Sequence, residues 1–271
     1  MTDIKLIATD IDDTLLTSHG VISPATVAAL KTALAAGIKV VPCSGRPLAG
    51  VRRYMDTLGI DGDEQYAITF NGGVVETASG TVIQTLSLSN DLYRRLDAFS
   101  TTEKAGYYVL DAASTVFTSN KDVDRYTVVQ AWENRAGLYI RTPDEMPADF
   151  TPVKAAFVGS TAELDRIEPA VLAAFGDEAY IVRAGKNFLE IMNKDAGKGN
   201  GLRALTAALN LTPDQVLVFG DEKNDLPMFD FAGTAVAMGN GSDLAKSHAD
   251  YVTSSNDEDG IAAALKHLEI I

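Results

Sequence analysis

The stretch Ile4-Lys5-Leu6-Ile7-Ala8-Thr9-Asp10-Ile11-Asp12-Asp13-Thr14 decides the fold. Its apolar part, residues 4–9, reads as a buried strand that stops abruptly on a polar cluster. The pattern recurs at residues 38–41, which lead into Ser44-Gly45-Arg46, and at residues 216–219, which lead into Gly220-Asp221-Glu222-Lys223-Asn224-Asp225. In an open α/β sheet, ligands bind beyond the carboxyl ends of parallel strands, so clusters far apart in sequence meet at one rim. The reading is a single acidic site on an α/β fold, a doubly wound, Rossmann-like parallel sheet.

The intervening sequence fits that sheet. Ser23-Pro24-Ala25 opens a helix with a capping serine and a proline at its first position, and Gly37 follows its last turn. A helix over residues 48–58 ends at Gly59, and a strand over 67–70 runs into Asn71-Gly72-Gly73. Strand and helix in alternation indicate βαβ units. From Val74 the pattern changes to a hairpin, residues 74–76 and 81–83 turning at Gly80. Beyond it the spacing predicts helices near 92–99 and 164–175 and strands near 107–110, 153–158, 179–183 and 188–192. The βα alternation resumes at Gly199 with a helix to about Asn210, a short turn at Thr212-Pro213, a strand at 216–219, and helix, strand and helix over 225–231, 235–238 and 260–268. The expected organisation is a core in two parts, 1–83 and 193–271, interrupted by an inserted α+β cap domain at 84–192.

With 271 residues, 46% of them hydrophobic, the chain can build cores of ordinary size. No apolar run approaches the ~20 residues of a membrane span, and Met1-Thr2 leads straight into the first strand without a leader pattern. The expected address is cytoplasmic. A net charge of −14 argues against nucleic acid and anionic membrane as partners, because both bind largely through Lys and Arg. The single cysteine, Cys43, is expected to be a small buried residue closing a strand rather than a nucleophile, since no histidine lies near it in sequence. The sequence carries no signal for an oligomeric state.

Taken singly, the polar clusters are indistinct from solvated loops. A calcium loop starting at Asp10 would need glycine at Leu15 and glutamate at Val21. Ser44 lacks the flanking glycines of a nucleophile elbow, and Gly197-Lys198-Gly199 lacks the spacing of a phosphate-binding P-loop. Together they point to a cation: carboxylates ~4 Å apart repel by ~4 kcal/mol at an effective dielectric of 20. Asp10, Asp12, Asp221 and Asp225 at one rim offer hard oxygen ligands, for which Mg²⁺ is the best match. Counting four carboxylates against Mg²⁺ and Lys198 leaves the site negative, so one aspartate, with Asp12 the natural choice, is expected to be protonated and able to donate to a leaving oxygen.

These residues resemble the signatures of haloacid dehalogenase-like hydrolases. Asp10-Ile-Asp12-Asp13-Thr14, Ser44-Gly-Arg-Pro47, Lys198-Gly199 and Gly220-Asp221-Glu-Lys-Asn224-Asp225, with Val236-Ala-Met-Gly-Asn240 and Asn256-Asp-Glu-Asp-Gly260, resemble the Cof-type branch and its YidA-like sugar phosphatases. The resemblance implies that Asp10 is a nucleophile forming an aspartyl phosphate and that Asp12 is the acid and then the base. It implies that Asp10, the Asp12 carbonyl and Asp221 hold Mg²⁺ as cofactor, with Asp225 and Thr14 in support. Ile11, Ser44, Gly45, Arg46, Lys198 and Asn224 would bind the phosphate or substrate. An aspartate at position 12 favours phosphate esters over halides, because dehalogenases proper lack it. The module at 84–192 resembles a type-IIB cap, with Arg125, Tyr126, Asn187 and Glu190 as candidate contacts.

The expected activity is therefore Mg²⁺-dependent hydrolysis of small phosphorylated metabolites, sugar phosphates foremost. A sugar phosphomutase of the same core and cap is the first alternative. A phospho-accepting, receiver-like signalling module is the second, and the inserted module argues against it, since receivers are about half this length.

Overall fold

A computed structural model describes residues 3–271. Met1 and Thr2, part of the segment read as carrying no leader, lie outside the described residues. The chain forms two compact units: residues up to Arg46, Val51–Gln84 and Gly197 onward make the first, and Pro47–Gly50 with Thr85–Ala196 make the second.

The first unit begins with β1 (Leu6–Thr9), α1 (Pro24–Ala35), β2 (Lys39–Pro42), all but the first three residues of α2 (Leu48–Leu58), β3 (Tyr66–Thr69), β4 (Val74–Thr77) and all but the last residue of β5 (Val82–Thr85). In α1 the hydroxyl of Ser23 accepts from the Thr26 amide, and Pro24 occupies the first turn, where no amide donor is required. The second unit contributes α3 (Asn90–Glu103), β6 (Gly106–Leu110), β7 (Val116–Thr118), α4 (Arg125–Glu133), β8 (Leu138–Ile140), β9 (Lys154–Val158), α5 (Thr161–Phe175), β10 (Ala179–Arg183) and β11 (Phe188–Asn193). The chain then returns to the first unit with α6 (Lys198–Ala208), β12 (Val216–Gly220), α7 (Leu226–Phe229), β13 (Thr234–Ala237), α8 (Asp243–His248), β14 (Tyr251–Val252) and α9 (Gly260–His267).

The main sheet of the first unit has the order β14-β13-β12-β1-β2, and all its pairings are parallel. From β1 the chain winds outward to β2 on one side, while β12, β13 and β14 wind outward on the other. The order reverses between β1 and β12, which is where an open sheet leaves a crevice at its carboxyl edge. Every residue of β1 and β12 is buried, which explains their unbroken apolar runs. A second sheet, β3-β4-β5, adjoins β2 through a parallel bridge between Cys43 and Ile68. Cys43 is fully buried in the core cluster with Leu6, Ile68 and Val218, and burial pushes its thiol well above the ordinary value. It is the inert packing residue that its sequence context indicates.

In the second unit a six-stranded sheet of order β10-β11-β9-β6-β7-β8 packs α3 and α5 against one face, through Leu92, Leu96, Leu164, Ile167, Tyr107, Phe157 and Ile191. The pattern reading omitted β7, β8 and α4 here. The strands have three residues each, too few to show alternation, and α4 keeps Val128, Val129 and Trp132 exposed, which blurs its apolar stripe. In the first unit it omitted the six-residue α8 and the two-residue β14 for the same reason of length. No helix among the described residues is long and apolar enough to cross a membrane.

Candidate active site

Parallel pairing fixes the first contact. Thr9 on β1 lies opposite Phe219 on β12, and the Asp10 amide donates to the Phe219 carbonyl at 3.0 Å. Asp10 and Asp221 thus leave adjacent strands side by side. One carboxylate oxygen from each of Asp10, Asp221 and Asp225 lies within 4.8 Å of the other two.

Lys198, the first residue of α6, reaches into this cluster. Its Nζ donates to Asp10 Oδ1 at 2.5 Å and to Asp225 Oδ1 at 2.6 Å, with its own side chain fully buried. Burial works against the ammonium, but the two carboxylates outweigh it and hold the lysine above its ordinary range. The other oxygen of Asp225 accepts from the amides of Asp221 and Glu222 at 3.0 and 3.1 Å. Gly220 makes this possible, since a Cβ there would stand 2.6 Å from the Asp225 side chain. Asp225 therefore ties the lysine to the turn that carries Asp221.

One ammonium does not compensate three buried carboxylates. Burial above all, opposed by Lys198 and reinforced by Asp225, pushes Asp10 up to about 8. Burial raises Asp221 to about 6 against the hydrogen bond that Thr14 Oγ1 donates to its Oδ1 at 2.7 Å. An all-oxygen donor set short of positive charge suits a hard divalent cation such as Mg²⁺.

Asp12 is placed differently. Its side chain is half exposed and outside the triad, and Arg46 grips it in a fork, Nε to Oδ2 and Nη2 to Oδ1, each at 2.9 Å. Arg46, a residue expected to bind phosphate or substrate, engages Asp12 with its guanidinium. The charge count that asked for a protonated aspartate had left this arginine out. Two side-chain cations, Lys198 and Arg46, therefore face the four carboxylates.

The remaining expected residues lie in the first unit. Ile11 is buried directly after Asp10. Ser44 is buried beyond β2, and its Oγ accepts from the Arg46 amide at 3.2 Å. Gly45 follows it, half-buried, and Asn224 is exposed in the turn before Asp225. The reading assigned no role to Asn71, Asn240 and Asn256. Asn71 adopts a left-handed backbone (φ 53°), and its amide donates to the Ser44 carbonyl at 2.8 Å. Asn240 Nδ2 donates to the carbonyl of Asp13, another left-handed residue, at 2.8 Å, and Asn256 Nδ2 holds the Leu16 carbonyl at 2.8 Å. These asparagines clamp the loops on either side of the cluster. The Asn71-Gly72-Gly73 punctuation and the 236–240 and 256–260 motifs were the available signals.

The four cap residues have partners inside the second unit. Arg125 donates to the Tyr126 hydroxyl, Tyr126 packs edge-on against Phe188, and Asn187 Nδ2 donates to the Gly159 carbonyl. Glu190 forms a buried ion pair with Lys154 at 2.6 Å.

An acidic, cation-suited centre thus stands at the switch point of a doubly wound α/β sheet. The chain belongs to the haloacid dehalogenase-like hydrolases, whose family model matches residues 7–265. Among its relatives, YxeH of Bacillus subtilis (strain 168) is 35% identical over 265 residues, 97% of this chain and 98% of the relative. The 5-amino-6-(5-phospho-D-ribitylamino)uracil phosphatase YcsE of the same organism is 30% identical over 267 residues, 98% of this chain and 96% of the relative. A haloacid dehalogenase-like hydrolase from Bacteroides thetaiotaomicron superposes with a TM-score of 0.88 at 28% identity, covering 98% of this chain and 99% of that one. The subclass IIB sugar phosphatase BT4131 superposes with a TM-score of 0.79 at 26% identity, covering 98% of this chain and 100% of that one.

Proposed function

We propose that this phosphoric monoester hydrolase is a cytosolic, Mg²⁺-dependent phosphatase of small phosphorylated metabolites, with sugar phosphates as its preferred class. The observation that carries the reading is the buried Asp10–Lys198–Asp225 array beside Asp221, at the carboxyl ends of β1 and β12. The substrate class is supported by the sugar phosphatase BT4131 among the structural neighbours and by a relative named for a phosphoribityl ester.

In this reading an Asp10 carboxylate oxygen attacks phosphorus, and the ester oxygen departs with a proton from Asp12. Asp12 then takes a proton from water, whose oxygen attacks the aspartyl phosphate, releasing inorganic phosphate and restoring Asp10. Lys198, Ser44, Asn224 and the amides of Ile11 and Gly45 supply donors for the phosphoryl oxygens, over which the transition state spreads its charge. Asp10, the Asp12 carbonyl and Asp221 would hold Mg²⁺, with Asp225 and Thr14 behind them. The bound ion would neutralise phosphoryl charge and favour the ionised form of Asp10. The segment 84–192 acts as the cap that selects the leaving group.

The test is phosphate release from a panel of sugar phosphates, nucleotides and vitamin phosphates, with Mg²⁺ or EDTA, for the wild type and Asp10→Asn. Metal-dependent release that the substitution abolishes is the expected result. Isomerised ester without free phosphate would establish a mutase, and a stable phosphoprotein without turnover would establish a signalling module.

A further inference from the structure

The fork between Arg46 and Asp12 is the exposed counterpart of the buried array, and the proposed reaction has no use for it as it stands. Bidentate pairing fixes a carboxylate in two dimensions, which a single ammonium contact does not do. The backbone that carries Arg46 is itself held. The Arg46 carbonyl accepts from the Phe70 amide at 3.1 Å, and its amide donates to Ser44 Oγ. Ser44 in turn is fastened on both sides, its amide to the Ile68 carbonyl at 2.9 Å and its carbonyl to the Asn71 amide at 2.8 Å. Asp12, by contrast, sits in a loop whose next residue, Asp13, has a left-handed backbone. The arginine is thus mounted on the junction of β2 and β3, and the aspartate has the more exposed side chain of the two, 52% against 29%.

We infer that Arg46 is a positioning residue that sets the orientation of the Asp12 carboxylate for proton transfer, and not primarily a ligand for the substrate phosphate. The inference rests on the proposed hydrolysis. It assigns Arg46 a part in both half-reactions, because Asp12 gives a proton in the first and takes one in the second. A group misplaced by ~1 Å costs ~100-fold in rate, so loss of the fork is felt in turnover. Loss of a substrate ligand would instead be felt mainly in KM.

The experiment measures kcat and KM for the wild type, Arg46→Ala, Arg46→Lys, Asp12→Asn and the double variant Asp12→Asn/Arg46→Ala, on the best ester from the panel. Circular dichroism and Tm verify folding, and Arg46→Lys, which keeps the charge and loses the fork, stands in should Arg46→Ala fail to fold. The expected result is a fall in kcat of about 10–100-fold in both single Arg46 variants with KM changed less than about threefold. The double variant should then be no slower than Asp12→Asn alone. A loss carried mainly by KM, a lysine variant as active as wild type, or a double variant slower than Asp12→Asn by the full arginine factor overturns the inference. Wild-type protein that releases no phosphate from any ester refutes the proposed function instead, so the two failures are distinct.

Discussion

Lys198 Nζ and Asp225 Oδ1 meet at 2.6 Å with neither side chain exposed. Their pairing joins α6 to the turn after β12, and the second carboxylate oxygen is shared between two backbone amides. Asp225 is therefore as much a structural brace as an electrostatic one.

Replacing Asp225 by Ala removes the brace and leaves a buried ammonium with Asp10 as its remaining carboxylate partner. Breaking a buried pair from one side costs about 3–5 kcal/mol. The urea midpoint should fall accordingly, and phosphate release should be lost with it. A midpoint within error of wild type would show that the pair contributes nothing net.

Stability of the metal-free protein should decline as pH rises from about 4 to about 8. Asp10 and Asp221 are raised from an ordinary 3.8 to about 8 and about 6 in the fold, so the native state binds their protons more tightly than the unfolded chain. Their contribution is fully present below 3.8 and is lost as pH passes through the two folded values. Thermal melts across this range in EDTA should show the decline, and saturating Mg²⁺ should flatten it by favouring the ionised forms. A pH-independent metal-free Tm would contradict the burial argument.

Thr14→Val keeps the shape of the side chain and removes the hydrogen bond to Asp221 Oδ1. In the proposed reading Asp221 holds the metal, and an outer partner of such a carboxylate is worth about 10–100-fold in metal affinity. The Mg²⁺ concentration for half-maximal phosphate release should rise by that factor, with kcat at saturation little changed.

Gly72→Ala should be among the most damaging single-atom-scale changes outside the charged cluster. Gly72 has φ +86°, and a Cβ there would lie 2.1 Å from the Gly197 carbonyl oxygen, directly before Lys198. Strain and overpacking together cost about 2–5 kcal/mol. Relief by moving Gly197 would displace the lysine, so activity should fall more steeply than stability.

Cys43 should be silent toward a thiol-disulfide reagent such as DTNB in the native protein and should react once on unfolding in urea. It is fully buried in the core and its thiolate is disfavoured by burial. Rapid native labelling would show that the core around it opens.

The sheet and its acidic rim were legible because parallel strands buried on both faces are written as unbroken apolar runs, and because ligating residues follow such runs at once. Asp10 and Asp221 could be brought together from that rule alone. The Arg46–Asp12 fork could not, because nothing in Ser44-Gly45-Arg46 shows which way an arginine turns, so the charge count omits that residue. The clamps by Asn240 and Asn256 were equally opaque: an asparagine that satisfies a carbonyl across more than two hundred residues leaves no local pattern. In the second unit the three-residue strands β7 and β8 are shorter than the period needed to recognise them.

The central place of β1 also has a consequence for biosynthesis. Asp10 emerges early, yet the lysine that contacts it lies 188 residues further along, and the carboxylate held by Thr14 lies 207 residues beyond that threonine. While the chain is being made, β1 has β2 on one flank and nothing on the other until β12 leaves the ribosome. A nascent or truncated chain thus carries Asp10 without the lysine and the carboxylates that surround it in the fold. Its apolar Leu6–Thr9 edge, meanwhile, must be kept from pairing with the wrong strand.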